Sequence, residues 1–115
     1  MIYSKINARM NSHLNQQLRK FHEFIRENFI SEQDEFSLTF KGDEIRVYTP
    51  LLMRDQTDAY SPDENFLVIG DDYGPYMICL NIETGKILKF PFIGGPEDAY
   101  NIAESLDDFM IKINA

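Results

Sequence analysis

Cysteine is almost absent: Cys79 is the single one among 115 residues, and it lies in the apolar run Met77-Ile78-Cys79-Leu80. A lone thiol has no disulfide partner within the chain, so the core must hold the fold, and a reducing cytosol is the expected compartment. Histidine is nearly as scarce. His13 and His22 are nine residues apart on one predicted helix, and at about 100° per residue they point to opposite faces and cannot share a metal. No stretch approaches the ~18 apolar residues of a membrane span. Met1 to Met10 carries Lys5, Asn7 and Arg9 among its apolar residues, which argues against a signal peptide. Internal repeats, linkers and low-complexity segments are also lacking, and this length suits one domain, residues 1–115.

Positive charge is missing from one half. Residues 1–54 hold eight Lys/Arg against seven Asp/Glu, whereas residues 55–115 hold three against twelve, a balance of −9. A phosphate-binding surface needs the opposite sign, so nucleic acid is not an expected direct ligand, and a basic protein partner fits better. Such acidity also serves solubility alone.

What is present is ample material for a core, with 43% hydrophobic and 13% aromatic residues. Leu14, Leu18, Phe21, Ile25 and Phe29 recur at helical steps, with Ser12 as a plausible N-cap. Phe36, Leu38 and Phe40 alternate with Ser37 and Thr39, and Lys41-Gly42-Asp43 turns the chain into Ile45, Val47 and Tyr48, a predicted hairpin. Pro50 ends it, and residues 51–65 read as the longest loop, with at most a helical turn at Leu51-Leu52-Met53. Phe66 to Ile69, Tyr76 to Leu80 and Lys86 to Phe90 then form a meander, joined by Gly70-Asp71-Asp72-Tyr73-Gly74-Pro75 and Glu83-Thr84-Gly85. Ile102, Leu106, Phe109 and Ile113 close the chain at helical spacing, with Ser105 and Asp108 resembling a capping box. The expected fold is α+β, an antiparallel sheet of about five strands with an N-terminal and a C-terminal helix.

Catalytic constellations are not legible, and neither an enzymatic activity nor a cofactor is expected. Cys79 sits in a core strand without an activating base, where a thiol behaves as a small hydrophobe. The acidic group Asp55, Asp58, Asp63, Asp71 and Asp72 lacks the spaced ligands and terminal Glu of an EF-hand, so no metal site is assigned. Gly70-Asp71-Asp72 between strands is similar to the metal-binding turn of polymerase palm domains, but the chain is too short to hold one. The glycines match no phosphate or dinucleotide loop and read as turn residues.

Taken in order, residues 65–74 (Asn65-Phe66-Leu67-Val68-Ile69-Gly70-Asp71-Asp72-Tyr73-Gly74), 77–81, Thr84-Gly85-Lys86-Ile87 and 102–109 resemble the SUKH superfamily of the Smi/Knr type. In that family a strand ending in Ile-Gly leads to an acidic Gly-rich turn, two further strands and a terminal helix. Tyr73 replaces a usual glycine, Leu106 takes an aromatic position, and the Leu-Pro helix before the first strand is missing, as in a short or divergent member. The resemblance implies an SUKH-like fold and a cytoplasmic immunity protein that binds and neutralises a cognate toxin, often a nuclease, by blocking its active site.

An acidic protein suits a basic nuclease cleft. Under this reading the protein-binding residues are Asp55, Asp58, Asp71 and Asp72, solvated and steering a basic toxin, with Tyr73 as an aromatic anchor. The superfamily also contains fungal cell-wall regulators, so the alternative is a regulatory or scaffold protein-binding domain acting without a toxin.

Overall fold

Strict alternation builds the first hairpin. In the computed structural model, which describes residues 1–113 and so leaves the last two residues of the expected 1–115 domain outside, β1 (Glu35–Phe40) buries Phe36, Leu38 and Phe40. It pairs antiparallel with β2 (Asp43–Tyr48) from Glu35↔Tyr48 to Phe40↔Asp43. That register leaves Lys41 and Gly42 as a two-residue loop with φ of 49° and 86°, the paired positive values that let a type I′ turn follow the strand twist. The meander continues with β3 (Phe66–Asp71), β4 (Tyr76–Asn81), β5 (Ile87–Pro91) and β6 (Tyr100–Ala103), giving one antiparallel sheet in the order β1 to β6.

The class is the expected α+β, with six strands. The additional strand, β6, takes Ile102, which helical spacing had joined to the final helix. Ser105 decides the boundary: its Oγ accepts from Asp108 N at 3.0 Å and starts α4 (Leu106–Lys112) three residues after β6 has paired Ala103 with Ile87. The Asp108 carboxylate in turn accepts from Glu104 N at 2.9 Å.

Two helices precede the sheet. Ile2 and Ile6 belong to α1 (Ile2–Arg9), with Met10 four residues on as its C-cap; hydropathy alone did not mark this helix, and Ile6 is fully buried. Helix α2 (Ser12–Asn28) buries the expected Leu14, Leu18, Phe21 and Ile25, but its cap is Asn11, not Ser12, because Asn11 Oδ1 accepts from Leu14 N at 2.8 Å. Phe21 lies 5.7 Å from Phe109 of α4, and Phe109 lies 5.1 Å from Phe40, so α2, α4 and the hairpin meet ring to ring. Each such ring contributes about 1.5–3 kcal/mol by burial.

Where the sequence predicts a loop over residues 51–65, the structure has α3 (Pro50–Tyr60), capped by Thr49 and opened by Pro50 at its first position. The reason lies in the sheet. β2 and β3 pair at Arg46↔Asp71 and Val47↔Gly70 and then diverge, leaving the lower edge of β3 without a strand neighbour. Helix α3 fills the gap with hydroxyls: Thr57 Oγ1 accepts from Val68 N at 2.9 Å, and Ser61 Oγ lies 2.7 Å from Phe66 O. Thr57 and Ser61 are four apart and face the same way. Asp58, next on the helix, turns to α1 and accepts from Tyr3 N at 2.9 Å, capping a helix whose own N-cap, Met1, has no side-chain bond.

Gly70 is a strand residue, not a turn residue. A β-carbon there would fall on the carbonyl oxygen of Arg46, so the close approach of β2 and β3 at this point requires glycine. Beside it the β3–β4 register shifts between Val68 and Gly70, a bulge that re-aims the residues that follow.

His22 lies along the groove between α1, α2 and the start of α3, and its Nε2 is buried without a partner. Burial lowers its pKa from 6.5 to about 4, so the folded chain holds it neutral. Between those values the unfolded chain binds the extra proton, and stability therefore falls as pH drops from 6.5 toward 4, by at most ~1.4 kcal/mol per unit. Urea midpoints at pH 7 and pH 5 should differ more for the parent than for His22→Gln, and equal differences would show that His22 does not carry this dependence.

The gap-filling role of α3 is tested by Thr57→Val, which keeps the shape and strands the buried Val68 N–H. A loss of about 1–3 kcal/mol is expected in denaturant melts, and an unchanged midpoint would mean that this amide finds another acceptor.

Candidate functional site

Register places three polar side chains in one cross-strand file. Ser37 is opposite Arg46, and Arg46 is opposite Asp71, so all three project from the face opposite to Phe36, Leu38 and Val47. Tyr48 lies two residues along on the same face. Asp71, 3% exposed, accepts from Arg46 Nε at 2.9 Å, from the Tyr48 hydroxyl at 2.5 Å and from Tyr73 N at 2.9 Å. Arg46 Nη1 is also 3.3 Å from both oxygens of Glu35. Its hydrogen bond to Asp71 raises the guanidinium pKa further above its ordinary value, outweighing partial burial. Burial first, and then the bond to Asp71, push the Tyr48 hydroxyl well above the usual phenol range, so it serves as a neutral donor.

Tyr73 is the rigid part of the rim. Its backbone is in the left-handed region at φ 65°, its ring lies 4.7 Å from the Arg46 guanidinium carbon, and its hydroxyl bonds to Ser37 Oγ. It is nevertheless 48% exposed. Opposite stands Tyr60 of α3, 50% exposed and edge-on to Phe92 at 5.2 Å and 82°. Beyond Phe92, Ile93 is 95% exposed in the β5–β6 loop. These groups enclose a cleft of about 440 Å³ floored by Arg46, Tyr48, Asp71 and Gln56.

Of the residues expected to bind a partner, Asp71 and Tyr73 line this cleft, and the other three do not. Asp71 and Asp72 are not the solvated tip of a hairpin. Asp71 ends β3 inside the structure, because the bulge carries the strand two residues beyond Ile69. Asp72 accepts from Gly74 N at 2.9 Å and Tyr76 N at 3.2 Å and pairs with Lys89 at 3.4 Å. Asp58 caps α1, and exposed Asp55 lies 3.6 Å from its neighbour Arg54. Asp63 closes a local turn by accepting from Asn65 N at 2.7 Å.

Arg46, Tyr48, Gln56, Tyr60, Phe92 and Ile93 were not singled out from sequence. Ile93 sits inside the Gly-rich loop Phe92-Ile93-Gly94-Gly95-Pro96, but a single apolar residue in a loop is common on protein surfaces and does not by itself mark a site.

Among the described residues no group of three or more His, Cys, Asp or Glu is placed to hold a metal ion. Cys79 is fully buried, and desolvation pushes its thiol pKa up, away from the reactive thiolate.

Replacing Asp71 by Asn removes the charge while keeping the shape, and leaves Arg46 and Tyr48 against a weaker acceptor. A cost of about 2–4 kcal/mol is expected, less than for a fully buried pair because Arg46 is partly exposed. Tyr48→Phe should cost about 1 kcal/mol. Urea unfolding measures both, and a loss for Asp71→Asn of under ~0.5 kcal/mol would reduce the network to the level of a surface ion pair.

The chain matches no family model and no curated protein.

Proposed function

We propose that this chain is a cytoplasmic immunity protein that binds a basic toxin domain, of the nuclease kind, and blocks its active site. The observation that carries the reading is the cleft rim: Tyr60, Tyr73 and Ile93 are exposed around a floor whose charges already satisfy one another. Aromatic anchors held in fixed positions are favoured hot spots, since little side-chain entropy remains to be lost on docking. Covering this floor leaves no cation unpaired, since Arg46 already faces Asp71 and Glu35.

The acidic half supports the same reading. Asp55, Glu64, Glu97, Asp98 and Asp107 are exposed, and these, rather than Asp71 and Asp72, are the carboxylates able to act on a basic partner at a distance. The resemblance of the segment from about Asn65 to Ile113 to the SUKH superfamily supplies the toxin as the partner. No helix among the described residues is long and apolar enough to cross a membrane, which agrees with a protein that meets its toxin in the cytosol.

The test is growth. Where the adjacent upstream gene encodes a large secreted protein with a variable C-terminal domain, that domain expressed alone should arrest a host; with this chain it should not, and the two should co-elute at a 1:1 ratio. Arrest that persists would overturn the inhibitor reading. With a rescuing pair in hand, Glu97→Lys with Asp98→Lys should slow association by about tenfold at low salt. The difference should shrink at ~0.15 M, where the screening length is about 8 Å. Equal rates at low salt would remove these acids from steering.

A further inference from the structure

We infer that the partner contact is this cleft, and that its occupant is a loop of a basic protein presenting an apolar side chain and a neutral main-chain carbonyl. The inference rests on the proposed function for the sign of the partner's charge; the cleft chemistry supplies the rest. Arg46 commits Nε to Asp71 and Nη1 to Glu35, while Nη2 has no acceptor among the described residues. Nη2 is not enclosed either, since the sole buried side-chain polar atom without a partner among the described residues belongs to His22. The floor therefore offers donors to something that enters.

Charge decides what that something is. One guanidinium already faces two carboxylates, so phosphate or a carboxylate would bring a third negative charge into a site of net −1. A lysine or arginine side chain would meet Arg46 itself, with Asp71 already accepting three hydrogen bonds. A carbonyl oxygen takes an N–H without adding charge. The walls, Tyr60 against Phe92 on one side and Tyr73 on the other, suit an aliphatic body beside that carbonyl, and Ile93 extends the apolar contact outward.

The surroundings select a basic protein to carry the loop. Exposed Asp55 adjoins Gln56 in sequence, Glu97 and Asp98 follow Ile93 in the same β5–β6 connection, and Arg54 is the base beside them, paired with Asp55. A second copy of this chain is a poor occupant, because two molecules of net charge −8 repel.

The probe is a blocked heptapeptide with a central Leu between two glycines and two Lys at each end, titrated into the ¹⁵N-labelled protein and followed by amide shifts. Shifts should concentrate at Arg46, Gln56, Tyr73, Gly74 and Ile93, with a Kd on the order of 1 mM. Ile93→Ser should weaken binding about fivefold at unchanged Tm. The same peptide with Glu in place of Lys, and inorganic phosphate, should leave these amides unmoved. Phosphate shifting Arg46 would overturn the inference by making the floor an anion site. Basic peptide shifting amides elsewhere, for instance around Glu83 and Glu104, would remove the contact from the cleft while the basic-partner reading stands. No shift with the basic peptide overturns the cleft assignment, whereas the growth assay judges the inhibitor function independently.

Discussion

The carboxylate of Asp71 is the point at which separate parts of the chain become one site. It collects a guanidinium and a phenol from β2 and the main-chain N–H of Tyr73 from its own turn. Remove that acceptor and Arg46 would be a half-enclosed cation with Glu35 alone, Tyr48 a buried hydroxyl without an acceptor, and Tyr73 a left-handed residue with one fewer restraint. A buried acid of this kind gains little for stability relative to a well-packed apolar group. Its effect here is positional, because it sets where the Tyr73 ring stands relative to Arg46.

That arrangement depends in turn on how closely β2 and β3 approach. Their ladder is short, ending where Gly70 faces the Arg46 carbonyl. Beyond it the strands part, and β3 would present bare N–H and C=O groups to the interior if α3 did not reach them through Thr57 and Ser61. Buried main-chain groups must find partners, and a helix can supply them only through side chains, its own amides being used internally. The face of α3 that carries Gln56 and Tyr60 is thereby brought up against Arg46 and Tyr48. The cleft is a by-product of a sheet that splits and a helix that mends it.

Function and fold divide the acidic residues between them. Asp58, Asp63, Asp71, Asp72 and Asp108 each satisfy main-chain amides, and the last three also hold cations. The remaining exposed carboxylates, Asp55, Glu97 and Asp98 among them, make no such main-chain bonds and are free to act on a partner's field. Net charge alone overstated the surface acidity available near the β3–β4 turn, since a negative balance counts carboxylates that caps and turns consume.

Local pattern determined the hairpin, the meander and the second helix, because alternation, Gly42 and the Leu14–Ile25 stripe report burial through neighbours close in sequence. Ser105 was legible for the same reason, a cap being an interaction across three residues. Helix α3 was not legible, since its inward side carries Thr57 where an apolar residue would have signalled burial, and the group that Thr57 serves is eleven residues on. Gly70-Asp71-Asp72 carries the local chemistry of a turn, and nothing nearby reveals that a bulge prolongs the strand or that Arg46, 25 residues earlier, awaits the carboxylate. The sequence by itself determined the hairpin, the meander, α2, the start of α4 and the sign of the charge. Tertiary structure alone decided which aspartates are buried and where an aromatic rim remains exposed, because both follow from contacts between segments that only folding brings together.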